Sequence, residues 1–203
     1  MMFRRFGVLL LAGLAASAFA APARTPTKEP AAANSVLAPG APVVSVPVIP
    51  LTAASFAPFG EVIELPVGTP PTQDLGTMRL WTGVAKTRIS ELIEFSIMTV
   101  RDRPREVAEL ERHAHSPLFL IGLSGEFRLV VAPPGVGPGG PAAGAVKVFL
   151  VKSGHGVLLQ KGTWHAWPFP AGEEGAFIVA SRDGTTKKDT RSRPFRGRDI
   201  VKF

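Results

Sequence analysis

The chain contains no cysteine among its 203 residues. Disulfides are therefore impossible, and thiolate metal sites are excluded. Histidine is scarce as well, with four in all. The apolar run near the start, Gly7 to Ala16, falls short of the roughly 20 residues that span a bilayer. At the other end, the excess of positive charge lacks interleaved aromatics, so a stacking surface for nucleic acid is not expected. That excess is also local. The formal charge is +7, yet residues 21–181 balance thirteen Lys/Arg against thirteen Asp/Glu. Residues 182–203 carry eight Lys/Arg and three Asp. A solvated basic tail over 191–203 is the expectation, with adhesion to an anionic surface as the sharper alternative.

Residues 1–20 read as a secretory signal. Arg4 and Arg5 precede the apolar run, and Ala18-Phe19-Ala20 fits a small-x-small cleavage site. The mature protein is then periplasmic or secreted, without a membrane span. Residues 21–45 hold almost no large apolar side chain and read as a flexible Ala/Pro linker. The folded domain is expected over 46–190.

High Gly (21) and Pro (20), with Phe (13) as the main aromatic, suit short strands and many turns. Thr52 is a candidate N-cap for a helical turn at Ala53–Phe56. Residues 92–100 alternate, with Ile93, Phe95, Ile97 and Thr99 on one face. Pro117 to Gly122 and Glu126 to Ala132 suggest a hairpin across Ser124-Gly125, and Pro133 to Ala145 a long exposed loop. Arg105 to Arg112 is rich in helix formers and locally ambiguous. The sum is an all-β sandwich or barrel.

All four histidines fall in two blocks: Glu111-Arg112-His113-Ala114-His115-Ser116, and Gly154-His155-Gly156 followed by Gly162-Thr163-Trp164-His165. On a strand, residues two apart share a face. His113 and His115 could thus converge, joined by His165 after a glycine turn. Three imidazoles make a site for a divalent metal, or for proton transfer without one. Glu111 shares parity with His113 and could add a carboxylate. Arg112 and Trp164 each lie one residue from a site histidine, so regular strands would turn them to the opposite face. His155, between two glycines, is expected to be exposed.

These blocks resemble the cupin motifs, G-x5-H-x-H-x3,4-E-x6-G and G-x5-P-x-G-x2-H-x3-N. His113-x-His115 and Gly125 match the first, and Gly156-x5-Gly162-Thr163-Trp164-His165 the second. Phe119 and Leu120 stand where the glutamate would be, and Gln160 replaces the proline. The chain over about residues 50 to 195 is also similar to the ureidoglycolate lyase family, through Pro50 to Glu64, Glu109 to Ser116, Val130 to Gly135, Gly154 to His165 and Arg182-Asp183-Gly184. The resemblance implies a cupin-like double-stranded β-helix, or jelly-roll barrel, with Arg105 to Arg112 extended. It implies a homodimer, a nickel or manganese ion, and cleavage of ureidoglycolate to glyoxylate and urea. His113, His115 and His165 would be catalytic residues and metal ligands. Arg112 or Arg182 would clamp the substrate carboxylate, and Trp164 would wall the pocket. Leu118, Leu158, Leu159 and Ala166 replace groups that are polar in the family pattern. An exported cupin that binds a small carboxylate or sugar without turnover therefore remains the alternative.

Overall fold

The computed structural model describes residues 40–135 and 139–203; the expected signal segment and most of the expected linker lie outside them. In chain order the elements are β1 (Val43–Ser45), β2 (Val48–Pro50), α1 (Ala53–Phe56), β3 (Gly60–Ile63), β4 (Gln73–Asp74), β5 (Arg79–Leu80) and β6 (Ile93–Arg101). Then come β7 (Glu106–Val107), β8 (Glu109–His113), β9 (Leu118–Gly122), β10 (Phe127–Ala132), β11 (Lys147–Val151) and β12 (Gly156–Leu159). The last are β13 (Trp164–His165), β14 (Phe169–Pro170), β15 (Glu174–Arg182), α2 (Thr185–Lys188), β16 (Thr190–Pro194) and β17 (Ile200–Lys202).

Two antiparallel sheets face each other. One runs β6-β15-β9-β12, the other β8-β13-β10-β11. Numbered along the chain, with β13 and β14 as one interrupted strand, these orders are 1-8-3-6 and 2-7-4-5. That is the jelly roll, two interleaved Greek keys. The expected all-β cupin fold is therefore the fold observed. Each sheet gains edges: β3 beside β12, β16 beside β8, and β2 parallel to β11.

Alternation along β10 divides the core. Phe127, Leu129 and Val131 face inward and meet Phe149, Val157, Leu159 and Phe177 between the sheets. Val130 and Ala132 face outward and pack with Leu110, Val148, Trp164 and Phe169 under the small β1-β17-β7 sheet. Each such large apolar side chain contributes roughly 1.5–3 kcal/mol on burial. The capping box at Thr52 forms as expected, with Ser55 as its partner. Arg105 to Arg112 is extended, since β8 lies between β13 and β16, where tertiary pairing outweighs helix propensity.

Several expectations are corrected. β9 and β10 do not pair as a hairpin; they belong to opposite sheets, as jelly-roll crossing demands. The loop after Pro133 is not exposed throughout, because Gly140, Pro141 and Ala143 are buried. The domain does not begin at 46: β1 pairs in parallel with β17. Nor are residues 191–203 a solvated tail. Phe195 and Val201 are buried, so the basic side chains decorate strands rather than a free end.

Candidate functional site

β8 and β13 are neighbours, and Glu111 stands directly opposite His165. Val131 on β10 is opposite His165 on the other side. Glu111, His165 and Val131 therefore share one inward-facing row. His113, two residues beyond Glu111, shares that face. One ligand atom from each of Glu111, His113 and His165 lies within 4.8 Å of the others. Among the described residues this is the one such group. The two imidazole centroids are 5.1 Å apart.

The turn that delivers His165 is tied to the strand that carries His113. Gly162 takes φ +80°, a conformation open to glycine, and its N–H donates to the His113 carbonyl at 2.7 Å. The Thr163 hydroxyl donates to the Phe59 carbonyl at 2.9 Å. Behind His113, the Thr190 hydroxyl lies 3.4 Å from Nδ1.

His165 Nδ1 lies 3.0 Å from the Thr163 carbonyl oxygen. A carbonyl only accepts, so Nδ1 carries the proton, and in the neutral tautomer this leaves a bare lone pair at Nε2. That atom is buried without a hydrogen-bond partner, 3.5 Å from Glu111 Oε1. Two acceptors facing each other in a buried site call for a cation between them, a metal or a proton. Two imidazole nitrogens and one carboxylate suit a divalent first-row ion and leave coordination positions open.

The electrostatics agree. Burial, then the His165 charge, pushes the His113 pKa down to about 4, against raising contributions from Glu111 and Asp189. His113 is therefore neutral at neutral pH, as a ligand must be. Burial would raise the Glu111 pKa, but the approach of His165 at 3.5 Å, the charge that His165 and His113 carry when protonated, and the Trp167 indole outweigh it. Its carboxyl is held below the usual range.

His115 is not brought to this cluster. β8 ends at His113, and His115 lies in the bend beyond it with an exposed side chain. Its backbone N–H, with that of Ala114, is taken by the buried Asp189 carboxylate. The rule that residues two apart share a face holds, but the pair it selects is Glu111 and His113. The three expected substrate contacts also face elsewhere. Trp164 is 1% exposed in the outer core, and Arg112 stacks on its ring at 4.6 Å, as their odd spacing from the histidines requires. Arg182 lies opposite Ile93 on β6, on the outer face, with Nη1 on Glu91 at 3.1 Å. His155 is partly exposed, 3.3 Å from Glu64.

One contributor was not anticipated. Trp167 donates its indole N–H to Glu111 Oε1 at 3.2 Å and is 45% exposed at the site's edge. Its position two residues after His165 was the available signal. On the facing sheet, Leu118 stands opposite Leu159, and both side chains join the inner core. Leu158 faces the outside instead.

The family model described as ureidoglycolate lyase matches residues 43–198. Ureidoglycolate lyase of Chelativorans sp. (strain BNC1) is 34% identical over 142 residues, 66% of this chain and 83% of that protein. That of Azotobacter vinelandii is 32% identical over 141 residues, with the same coverage. That of Pseudomonas fluorescens (strain SBW25) is 33% identical over 142 residues, 67% of this chain and 83% of the relative. Among solved structures, a Bacillus subtilis oxalate decarboxylase is similar at TM-score 0.36 and 20% identity, over 51% of this chain and 24% of that one. A likeness that low bears on no question of chemistry. On the family match and these relatives, the chain belongs to the ureidoglycolate lyase family.

Proposed function

We propose that this protein is a carbon–nitrogen lyase that eliminates urea from ureidoglycolate, leaving glyoxylate, at the Glu111–His113–His165 cluster. The observation that carries the reading is the meeting of these three side chains on the inner face of the barrel in a member of this family. The reaction moves one proton from the substrate hydroxyl to the departing urea nitrogen while the C–N bond breaks and the carbonyl forms.

Glu111, His113 and His165 would hold a divalent ion, nickel or manganese, which would supply the positive charge that an α-hydroxy carboxylate needs and acidify its hydroxyl. The orphaned Nε2 of His165, the neutral His113 and the low-pKa Glu111 fit such an ion. Neither Arg112 nor Arg182, the side chains expected to hold the substrate carboxylate, shares the inner face, which adds to the case for a cation there. Glu111, ionised at working pH, is placed to take the hydroxyl proton and return it to the leaving nitrogen. His165, its Nδ1–H fixed on the Thr163 carbonyl, keeps Nε2 aimed at Glu111.

Three further elements belong to the reading. The chain is exported to the periplasm or beyond, supported by the Arg4-Arg5, apolar and Ala18-Phe19-Ala20 sequence. It forms a homodimer, supported by the exposed Ile93, Phe95 and Ile97 on one face of β6, Phe95 at 73%. The substrate is a small carboxylate.

The test is release of urea and glyoxylate from ureidoglycolate by purified protein loaded with nickel or manganese, beside His113→Ala and His165→Ala controls. Release by wild type, lost in both variants, is expected. Wild type that releases neither product above background overturns the proposal. Leu118 and Leu159, apolar where the family pattern is polar, favour one competing outcome, substrate binding without turnover, which the same assay paired with calorimetry reveals.

A further inference from the structure

The register between β10 and its partner strand contains an irregularity beside the site. Val131 lies opposite His165, and Arg128 opposite Phe169. Three steps along β10 thus correspond to four along the partner, so one extra residue is housed between His165 and Phe169. This is a β-bulge, a device that re-aims side chains. Trp167 sits in it, and the indole N–H reaches back across the strand to Glu111 Oε1.

The bulge is held from outside. The guanidinium of Arg103 donates from Nη2 to the Trp167 carbonyl at 2.8 Å and from Nη1 to the Pro168 carbonyl at 2.9 Å. The same guanidinium lies 3.6 Å over the ring of Phe169. Two backbone acceptors that the bulge removes from the sheet ladder are thereby satisfied by one rigid fork. Phe169 is fully packed, so the fork is anchored at both ends.

We infer that Trp167 is a positioning residue for the Glu111 carboxylate, set in place by the bulge and by the Arg103 fork, and that it presents Glu111 to a divalent cation in a single orientation. The inference rests on the reading of the cluster as a metal centre. A carboxylate on a side chain with three rotatable bonds loses orientational freedom on ligation; an indole N–H that already fixes it removes part of that cost before the ion arrives.

Two measurements decide this. The first uses metal-free protein and the three indole N–H resonances, from Trp81, Trp164 and Trp167. Glu111→Ala and Arg103→Gln are each expected to move the Trp167 resonance and leave that of Trp81, which donates to the Thr69 carbonyl, in place. A Trp167 resonance indifferent to both substitutions overturns the inference.

The second is Mn²⁺ affinity by calorimetry. Trp167→Phe keeps the ring and drops the donor. Its affinity is expected to fall about 10–100-fold, the range for loss of an outer partner of a ligand. Arg103→Gln is expected to fall in the same direction by less. Wild-type affinity in Trp167→Phe overturns the inference while leaving the metal centre intact. Wild type that takes up no Mn²⁺ overturns the metal centre, and the inference with it.

Discussion

Replacing Glu111 by Gln separates what this side chain does for the fold from what it does for the site. The substitution keeps shape and volume and removes the charge. At present Oε1 sits 3.2 Å from the Trp167 indole N–H and 3.5 Å from the bare Nε2 of His165. An amide can place only one atom there. With oxygen in that place the indole bond survives and His165 Nε2 stays orphaned. With nitrogen in it, the amide donates to His165, worth about 1 kcal/mol, and the indole turns to water at small cost because Trp167 is half exposed. The buried carboxylate's desolvation penalty disappears in either case. The metal-free variant is therefore expected within about 1 kcal/mol of wild type by urea denaturation. For metal the sign is opposite. Losing an ionised ligand costs at least the upper end of the range known for outer partners, about 100-fold in affinity for Mn²⁺ or Ni²⁺ by titration calorimetry. A variant that binds either ion as wild type does would refute the assignment of Glu111 as a ligand. One that unfolds several kcal/mol more easily would show that the carboxylate is structural.

His115→Ala is expected to leave metal affinity within twofold and stability within about 0.5 kcal/mol, because its side chain is exposed and its backbone N–H bond to Asp189 survives; a tenfold loss of affinity would return it to the site. Trp164→Ala should cost about 3–5 kcal/mol of stability, since the ring is fully packed and supports the Arg112 guanidinium; a cost below 1 kcal/mol would contradict its place in the outer core. The metal-free protein should lose stability as pH falls from about 6.5 toward 4. His113 titrates near 4 when folded and at 6.5 when unfolded, so the unfolded chain binds the extra proton in that window and the stability is complete above it. The full difference is on the order of 3 kcal/mol. A His113→Phe variant should show a flatter acid limb in the same denaturation series.

The fold was readable because strand alternation and glycine turns are local signals. The cupin resemblance supplied what local signals lack, namely which strands pair. The false hairpin at Ser124-Gly125 shows the limit: two apolar strands joined by a turn look alike whether they pair or cross between sheets. β6 shows another. Its alternation was evident, but Ile93, Phe95 and Ile97 face outward while Met98 and Val100 face the core. Period fixes the two faces of a strand without saying which is covered. The site obeyed the same parity. It correctly set Trp164 and Arg112 apart from the histidines and correctly put Glu111 beside His113. It misplaced His115 because nothing local marks His113 as the last residue of β8. That ending depends on Asp189, 74 residues downstream of His115, which draws the chain into a bend. The spacing of Trp167 from His165 was a local hint, but its reach to Glu111 depends on a bulge, which is visible only once two strands are laid side by side.

The parallel pairing of Val43–Ser45 with Ile200–Lys202 makes the domain's completion a late event. β1 cannot dock until Ile200–Lys202 has been synthesised. Phe203 then meets Phe169 edge-on at 4.9 Å, and Phe169 is the ring beneath the Arg103 fork. A chain lacking Ile200–Phe203 would lose the central strand of the small sheet and, through Phe169, the support under the loop that faces the cluster. Damage to β17 or Phe203 should therefore register first as a loosened site rather than a missing one, carried through this aromatic pair.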